Sequence, residues 1–163
     1  MKKLLLLLTG LGLHISCAQV PQDHFSKETL SYELQTLEGE KIPFEKVLKM
    51  YEGRTIFIDV WASWCPDCLK SLPEVKHLQE KYPEVTFLFL SVDKTPESWA
   101  KGIEKYDVKG EHYLISDGMK GAFGKSIALD WIPRYMVVNK EGKLVLFKAI
   151  ETTDERIIEV LNQ

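Results

Sequence analysis

The segment from Phe57 to Cys68 most constrains the fold, because an apolar strand runs directly into a helix with two cysteines at the junction. Thr55 to Trp61 is apolar on both faces and rich in β-branched and aromatic residues, which is typical of a central strand covered on both sides. The N-terminus of a helix carries unpaired N–H groups and the positive end of the helix dipole, which favour a thiolate at Cys65. A thiolate is the attacking species in disulfide exchange, and a second thiol three residues later can resolve the mixed disulfide.

The elements around this junction follow from apolar periodicity and turn residues. Val85 to Val92 is apolar throughout and predicts a second central strand, separated from the first by a helix between Pro66 and Tyr82. A strand, a helix and a buried strand form a right-handed βαβ unit, so we expect a parallel sheet. The same reasoning predicts a hairpin over 30–42, helices over 43–53, 96–106, 121–127 and 154–161, and strands over 112–115, 135–138 and 144–149.

The N-terminal residues predict an export signal. Two lysines are followed by an uninterrupted Leu4 to Leu8, and the apolar run continues to Ile15, which is too short to span a bilayer as a stable anchor. Cleavage after Ala18 would give a signal peptide over 1–18. Alternatively, Ile15-Ser16-Cys17 resembles a bacterial lipobox, which would give a lipoprotein signal over 1–16 and a lipid on Cys17. Both alternatives remain open from the sequence.

A single folded domain is expected after the signal. Residues 19–29 are polar and lack periodicity, so we expect a linker there and one domain over 30–163. A chain of 163 residues with 45% hydrophobic residues is long enough for one core. Without the two N-terminal lysines, the chain has 19 basic and 24 acidic side chains, and the basic ones form no cluster in the sequence. The sequence therefore offers no electrostatic site for nucleic acid.

The cysteine count favours a reactive pair. Of three cysteines, Cys17 is lipidated or removed with the signal, which leaves Cys65 and Cys68. A small fold stapled by disulfides would need more than one bridge, so this pair is interpreted as a reactive dithiol. Half of a zinc site is the alternative, but two more ligands would be needed, and His77 lies about 13 Å further along the helix. We therefore expect no metal.

Asp59 is a further candidate, because it stands inside the otherwise apolar first strand. A buried carboxylate is costly unless it is paired or protonated. A desolvated acid with a raised pKa near Cys68 could take and return the proton of the resolving thiol. The alternative is a strand-end aspartate that is hydrogen-bonded to the backbone.

Together these residues resemble the thioredoxin fold. Trp64-Cys65-Pro66-Asp67-Cys68 lies at a strand-to-helix junction, Pro73 follows the first cysteine by eight residues, and Ile132-Pro133 precedes a hairpin. The N-terminal hairpin and helix, the signal and the insertion before the last hairpin make the chain similar to the exported TlpA/ResA-like branch. The resemblance covers 30–162. It implies an α/β thioredoxin fold with an N-terminal β-hairpin/helix extension and a central mixed sheet flanked by helices.

The resemblance implies a thiol:disulfide oxidoreductase that needs no cofactor besides its redox-active disulfide. Cys65 is then the attacking cysteine, Cys68 the resolving cysteine, and Asp59 matches the buried acid by position. Pro133 matches a cis-proline that faces the disulfide and is the fourth catalytic residue. The expected tuning and substrate-contact residues are Trp64, Pro66, Asp67 and Ile132.

Three neighbouring residues bear on the substrate and on the direction of electron flow. Trp131 is bulky where a small residue is usual, and Arg134 replaces a small hydroxyl residue, so the substrate-binding surface departs from the family pattern. Strong oxidants of this type owe their potential to a very stable thiolate. Asp67 adds no positive charge beside Cys65 and repels a thiolate there, so we expect a reducing enzyme.

The export signal and the resemblance predict a periplasmic protein, soluble or lipid-anchored, that acts as a monomer. The expected partners are protein disulfide or dithiol substrates, in cytochrome c maturation or a stress response, and a membrane thiol reductase or oxidase. Such an electron partner is expected because an oxidising compartment would otherwise leave the pair as a disulfide. The membrane would be contacted only through a lipid anchor.

Three other functions fit the residues less well. A thiol peroxidase of the peroxiredoxin type would have Thr or Ser three residues before its cysteine and Pro seven before, where Ala62 and Ile58 stand. A copper-delivery protein of similar fold would favour a three-residue gap between its cysteines and a distal histidine, for which His112 is the candidate. A binding module with a dead site would have lost a cysteine or the helix-start geometry.

Overall fold

The computed structural model describes residues 23–163. The predicted export signal, its two cleavage sites, Cys17 and residues 19–22 lie outside the described residues. The strands are β1 (Glu33–Gln35), β2 (Lys41–Pro43), β3 (Ile56–Trp61), β4 (Thr86–Ser91), β5 (Glu111–Leu114), β6 (Arg134–Val138) and β7 (Leu144–Ala149). The helices are α1 (Lys27–Ser31), α2 (Phe44–Met50), α3 (Pro66–Lys81), α4 (Pro96–Tyr106), α5 (Ala122–Ser126) and α6 (Glu155–Leu161).

The strands form one mixed sheet in the order β2-β1-β5-β4-β3-β6-β7. β3, β4 and β5 are parallel, as the strand-helix-strand pattern predicts, and the other neighbouring strands pair antiparallel. All residues of the central strands β3 and β4 are buried. This architecture confirms the predicted α/β class with a central mixed sheet.

Helices cover both faces of the sheet. Side chains alternate between faces along a strand, so Asp59 and Ile56 point to opposite sides. α3 lies on the Asp59 side, because Ser71 of α3 accepts a hydrogen bond from Tyr135, the residue opposite Asp59 on β6. The end of α2 shares a cavity with Ile56 and Val138 on the other side. α3, which begins at the cysteine pair, therefore covers the face to which Asp59 points.

The N-terminal part of the domain differs from the expected linker over 19–29. Helix α1 begins at Lys27, with Ser26 as its N-cap, and the ring of Phe25 is buried against that of Phe44 at a centroid distance of 5.1 Å. The backbone also joins the sheet, since Leu144 donates its N–H to the carbonyl of Asp23 at 2.8 Å. A five-residue helix is too short to show periodicity, so the sequence pattern missed it.

The predicted N-terminal hairpin is present but shorter than expected. β1 begins at Glu33 because the preceding residues belong to α1, and it pairs both with β2 and, through Gln35 opposite Leu114, with β5. This second pairing attaches the N-terminal extension to the edge of the parallel strands. Within 23–163, no helix combines the length and the apolar character needed to cross a bilayer.

Candidate active site

The two cysteines lie where β3 ends and α3 begins. A tight turn follows the strand, in which the N–H of Cys65 donates to the carbonyl of Ala62 at 3.1 Å. Cys65 is the N-cap of α3, and Pro66 occupies the first helical position, where its missing N–H costs nothing. The N–H of Cys68 donates to the sulfur of Cys65 at 3.1 Å. A free helix-start donor thus points at the Cys65 sulfur, which favours negative charge on it.

Cys65 and Cys68 form a disulfide, and both residues are nearly enclosed, with 4% and 2% of their surface exposed. Although Cys65 stands at the start of the helix, neighbouring side chains cover it. Its access is a cavity of about 190 Å³, lined by Trp64, Cys65, Pro66, Asp67, Met119, Trp131 and Ile132. An attacking sulfur must therefore enter this cavity.

The loop before β6 closes the other side of the cavity. The Ile132–Pro133 peptide bond is cis, as the resemblance implies, and the Ile132 carbonyl oxygen lies 3.6 Å from the sulfur of Cys65. The structure thus brings together the cysteine pair and the loop, which are far apart in the sequence. The catalytic roles expected for Cys65, Cys68 and Pro133 stay predictions.

A larger groove of about 470 Å³ adjoins the first cavity and shares Asp67 and Trp131 with it. Its lining also includes Ser71 and Pro133. The side chains of Trp64 and Trp131 are 54% and 57% exposed beside the cysteines, whereas Trp61 is buried in the core. Trp64 and Trp131 therefore supply apolar surface next to the disulfide.

Of the two departures from the family pattern beside the cis-proline, Trp131 is exposed and Arg134 is not. Its side chain is fully buried and donates to the carbonyls of Ile127 at 3.2 Å and Ala128 at 3.3 Å. It also forms an ion pair with Asp130. Arg134 thus holds the loop before the cis-proline from the interior of the protein. Trp131, in contrast, lines the groove.

Asp59 lies on β3 directly opposite Tyr135 of β6 and Phe89 of β4. It is 2% exposed, and its Oδ1 atom is enclosed without a hydrogen-bond partner. Burial raises the pKa of Asp59 to about 8. A carboxyl group with this pKa can both accept and release a proton near neutral pH, which is the chemistry that a proton carrier needs.

The sequence did not reveal how the turn before Cys65 is held. Asp93, just after β4, accepts hydrogen bonds from the N–H of Ser63 at 3.0 Å and from its hydroxyl at 2.7 Å. Ser91 donates to the same carboxylate at 2.8 Å. A usable signal existed, because the carboxyl ends of parallel strands meet at one edge of the sheet and both Ser63 and Asp93 follow such ends.

Ser71 and Tyr135 were also missed. The Tyr135 hydroxyl donates to the Ser71 hydroxyl at 2.8 Å, and Ser71 donates to the carbonyl of Cys68 at 2.9 Å. No sequence signal marks this contact, because it depends on the register between β3 and β6 and on the position of α3.

His112 shows no link to the cysteine pair. Its ring stacks on Phe89, its Nε2 lies 2.9 Å from the carbonyl of Val108, and it does not line the cavity at Cys65. Burial lowers the pKa of His112. Among the described residues, His, Cys, Asp and Glu form no group of three or more that could hold a metal ion.

Comparisons with known proteins agree with this geometry. The Redoxin family profile matches residues 32–159. The thiol-disulfide oxidoreductase ResA of Bacillus cereus (strain ZK / E33L) is 30% identical over 133 residues, covering 80% of this chain and 73% of the relative. The sporulation thiol-disulfide oxidoreductase A of Bacillus subtilis (strain 168) is 23% identical over 128 residues, covering 77% and 74%.

Solved structures show the same fold. A solution structure from Bacteroides vulgatus superposes with a TM-score of 0.67 at 29% identity, covering 82% of this chain and 86% of that chain. A thiol-disulfide oxidoreductase from Bacteroides fragilis NCTC 9343 gives a TM-score of 0.65 at 22% identity, covering 78% and 95%. The residues that the Redoxin profile matches, 32–159, include the cysteine pair and all seven strands of the sheet.

Proposed function

The chain belongs to the Redoxin family and is a thiol-disulfide oxidoreductase of the TlpA/ResA-like type, and from this premise we propose that it reduces protein disulfides outside the cytoplasm. The observation that carries the proposal is the position of the Cys65 sulfur. It accepts the N–H of Cys68 at the start of α3 and lies 3.6 Å from the Ile132 carbonyl. The Cys68 N–H favours the attacking thiolate form of this sulfur, which faces the loop along which a substrate chain would lie. The reducing direction rests on Asp67.

The first step is attack by the reduced enzyme. The Cys65 thiolate attacks one sulfur of the substrate disulfide, the substrate S–S bond breaks, and the departing sulfur takes up a proton. The product is a mixed disulfide between Cys65 and the substrate. In this mixed disulfide the Cys65 sulfur is neutral, and it becomes the electrophile of the second step.

The second step resolves the mixed disulfide. The Cys68 thiol gives its proton to the carboxylate of Asp59 and attacks the sulfur of Cys65. The bond between Cys65 and the substrate breaks, and the second substrate sulfur leaves as a thiolate. Asp59 then returns the Cys68 proton, which protonates this thiolate, and the proton on the first substrate sulfur comes from water. The substrate has gained two electrons and two protons, and the enzyme is left with the disulfide seen in the structure. An external dithiol, proposed to be a membrane thiol reductase, restores the thiols.

The acidic surroundings support the reducing direction. Asp67 lies in the first turn of α3 and lines both cavities beside Cys65. A carboxylate there destabilises the thiolate relative to the disulfide, and a less stable thiolate makes the reduced form a stronger reductant. Asp67→Asn should therefore raise the reduction potential.

The location outside the cytoplasm rests on the N-terminal sequence. The basic residues, the leucine run and the two cleavage alternatives are typical of an exported protein, either soluble or anchored by a lipid on Cys17. Mass spectrometry of the protein purified from membranes and from the periplasmic fraction would separate the two alternatives. Cleavage after Ala18 and acylation of Cys17 give different N-terminal masses.

The reduction potential tests the proposed direction. After equilibration with glutathione buffers, we expect a potential closer to about −270 mV, the value of thioredoxin, than to about −120 mV, the value of a strong oxidant. Reduced protein should also reduce insulin, and Cys65→Ser should abolish that activity. A potential near −120 mV would show that the enzyme oxidises its partners instead. Mixed disulfides trapped with Cys68→Ser would then identify those partners.

A further inference from the structure

A chain of two hydroxyl groups links the residue opposite the buried acid to the resolving cysteine. Tyr135 faces Asp59 across the β3–β6 ladder, so the two side chains leave the sheet on the same side. The Tyr135 hydroxyl donates to Ser71 at 2.8 Å, and Ser71 donates to the Cys68 carbonyl at 2.9 Å. The disulfide-exchange steps described above do not use these hydroxyls.

Neither the Tyr135 hydroxyl nor the Ser71 hydroxyl has a proton left to donate to another group. A tyrosine hydroxyl has one proton to donate, and Tyr135 gives it to Ser71. Asp59 lies opposite Tyr135, yet its Oδ1 is enclosed and has no partner among the described residues. The acid thus lacks a hydrogen bond although its cross-strand neighbour carries a donor.

From this we propose that Ser71 and Tyr135 are positioning residues for the proton exchange between Cys68 and Asp59. Ser71 holds the Tyr135 hydroxyl away from the carboxyl group and ties the first turn of α3 to β6. The carboxyl of Asp59 is thereby kept free to exchange a proton with Cys68. The inference rests on the proposed proton transfer to Asp59 and extends it to two residues with no assigned role.

Loss of the Ser71 hydroxyl should lower the pKa of Asp59, and the reason is the chemistry of a buried hydroxyl. Without the oxygen of Ser71, the enclosed Tyr135 hydroxyl would lose its acceptor, and a buried donor without a partner is unfavourable. Asp59 Oδ1 is the open acceptor on the facing residue. A hydrogen bond to a carboxylate favours its charged form and lowers its pKa, which makes the acid a weaker acceptor for the Cys68 proton.

The charged and titratable neighbours of Asp59 do not alter this expectation. Tyr135 faces it from β6, and Cys68 and Glu74 belong to α3, where the charge of Glu74 acts on Tyr135. Phe89 on β4 is apolar. Burial first, and then the charge of Asp59, raise the pKa of Tyr135, so its hydroxyl remains a donor throughout the range in which Asp59 titrates.

The test is a titration of the Asp59 carboxyl in the oxidised protein by NMR of ¹³C-labelled aspartate, with the signal assigned by its loss in Asp59→Asn. Ser71→Ala should move the Asp59 midpoint down by about one to two pH units, as one charge-assisted hydrogen bond would. In the double variant Ser71→Ala/Tyr135→Phe the donor is gone, and the midpoint should return to the wild-type value. An Asp59 midpoint unchanged in Ser71→Ala would overturn the inference.

Two matched variants control for simple loss of a hydroxyl. Ser126 of α5 makes the same two kinds of hydrogen bond as Ser71. It accepts one from the Thr29 hydroxyl at 2.9 Å and donates one to the carbonyl of Phe123, three residues earlier, at 2.8 Å. Ser126→Ala therefore removes an equivalent hydroxyl away from Asp59. Tyr82→Phe removes the hydrogen bond that the Tyr82 hydroxyl donates to the side chain of Asn162 at 3.0 Å. Neither variant should move the Asp59 midpoint, and a shift in either equal to that of Ser71→Ala would overturn the inference.

The pH profile of insulin reduction separates this inference from the proposed function. Ser71→Ala should displace the profile by the same amount as the NMR midpoint, and Asp59→Asn should remove that dependence. If Asp59→Asn leaves the profile unchanged, Asp59 carries no proton in catalysis, so the proton-transfer step and this inference both fail while disulfide reduction by Cys65 and Cys68 stands. If Asp59→Asn changes the profile but Ser71→Ala does not, only the role of Ser71 and Tyr135 fails.

Discussion

The proposed role of Asp59 couples function to stability in a single residue. The core would be better packed with an apolar residue at this position, since the carboxyl has no partner for Oδ1 and lies beside Phe89. The protein retains an acid there that holds its proton up to a pH of about 8. A proton carrier must be desolvated to have such a pKa, so the same burial that suits the chemistry lowers the stability of the fold.

This cost should depend on pH in a defined way. The folded-state pKa of about 8 lies above the ordinary value of 3.8 for an aspartate in the unfolded chain, so the folded protein keeps a proton that the unfolded chain has released. Stability therefore falls as the pH rises from about 4 to about 8 and then levels off. Asp59→Asn removes this dependence. The unfolding free energy of the variant minus that of the wild type should therefore increase by roughly 3–5 kcal/mol between pH 4 and pH 8.

Urea unfolding of the oxidised protein at pH 4, 6 and 8 measures this difference. Glu141→Gln, at an exposed acid in the turn between β6 and β7, serves as the control and should show a difference that does not grow with pH. If the advantage of Asp59→Asn were the same at all three pH values, Asp59 would not hold a proton in the folded state.

Elements far apart in the sequence hold the active-site turn. α4 packs against it so closely that a Cβ atom on Gly102 would overlap the Cβ of Ser63, while the carboxylate of Asp93 holds Ser63 from the end of β4. The turn that carries Trp64 and Cys65 is thus fixed by α4 on one side and by a buried acid on the other. This explains the use of glycine in the middle of a helix, where it is otherwise unfavourable.

Gly102→Ala tests this packing. Helix propensity alone would stabilise the protein by about 1 kcal/mol, because alanine is the better helix former. Overlap with Ser63 should reverse the sign, so we expect a loss of about 1–3 kcal/mol in urea unfolding and slower insulin reduction. In a Ser63→Gly background the overlap disappears, and adding Gly102→Ala should then be neutral or stabilising. A destabilisation of equal size in both backgrounds would mean that α4 does not press on the turn through Ser63.

The elements predicted from the sequence were those with a strong local signal. β3 and β4 are continuous apolar runs and α3 has a regular apolar face, so each lies within a few residues of its predicted position. α1 and the β1–β5 pairing were missed, because their stability comes from contacts such as Phe25 on Phe44 and Gln35 opposite Leu114. Sequence periodicity carries no information about such long-range contacts.

The same distinction applies to the site. Cys65, Cys68 and Asp59 could be selected because a reactive pair at a helix start and an acid in an apolar strand are unusual in any chain. Trp131 and Arg134 adjoin the cis-proline on either side, yet one is exposed and the other is fully buried. Which of them faces the groove is decided by the loop over 127–130, whose carbonyls bind the Arg134 guanidinium, and not by residue type.

At the scale of the whole molecule, the segment before β1 is part of the folded body. Phe25 packs on Phe44, which in turn packs on Phe123 of α5 with a centroid distance of 5.3 Å, and the Asp23 carbonyl accepts from Leu144 of β7. The segment thus joins the N-terminal extension, α5 and the last strand. These contacts belong to the layer that includes α2, on the face of the sheet away from α3.

Phe25→Ala should therefore lower stability without altering the redox chemistry. Removing a buried phenylalanine ring typically costs about 3–5 kcal/mol, which urea unfolding would measure, whereas the reduction potential against glutathione should stay at the wild-type value. Leu37→Ala, at an exposed side chain of the β1–β2 turn, is the control and should change stability by less than about 0.5 kcal/mol. A loss as small as that of the control would mean that residues before α1 behave as the linker expected from their composition. A changed potential would mean that this layer and the cysteine pair are coupled across the sheet.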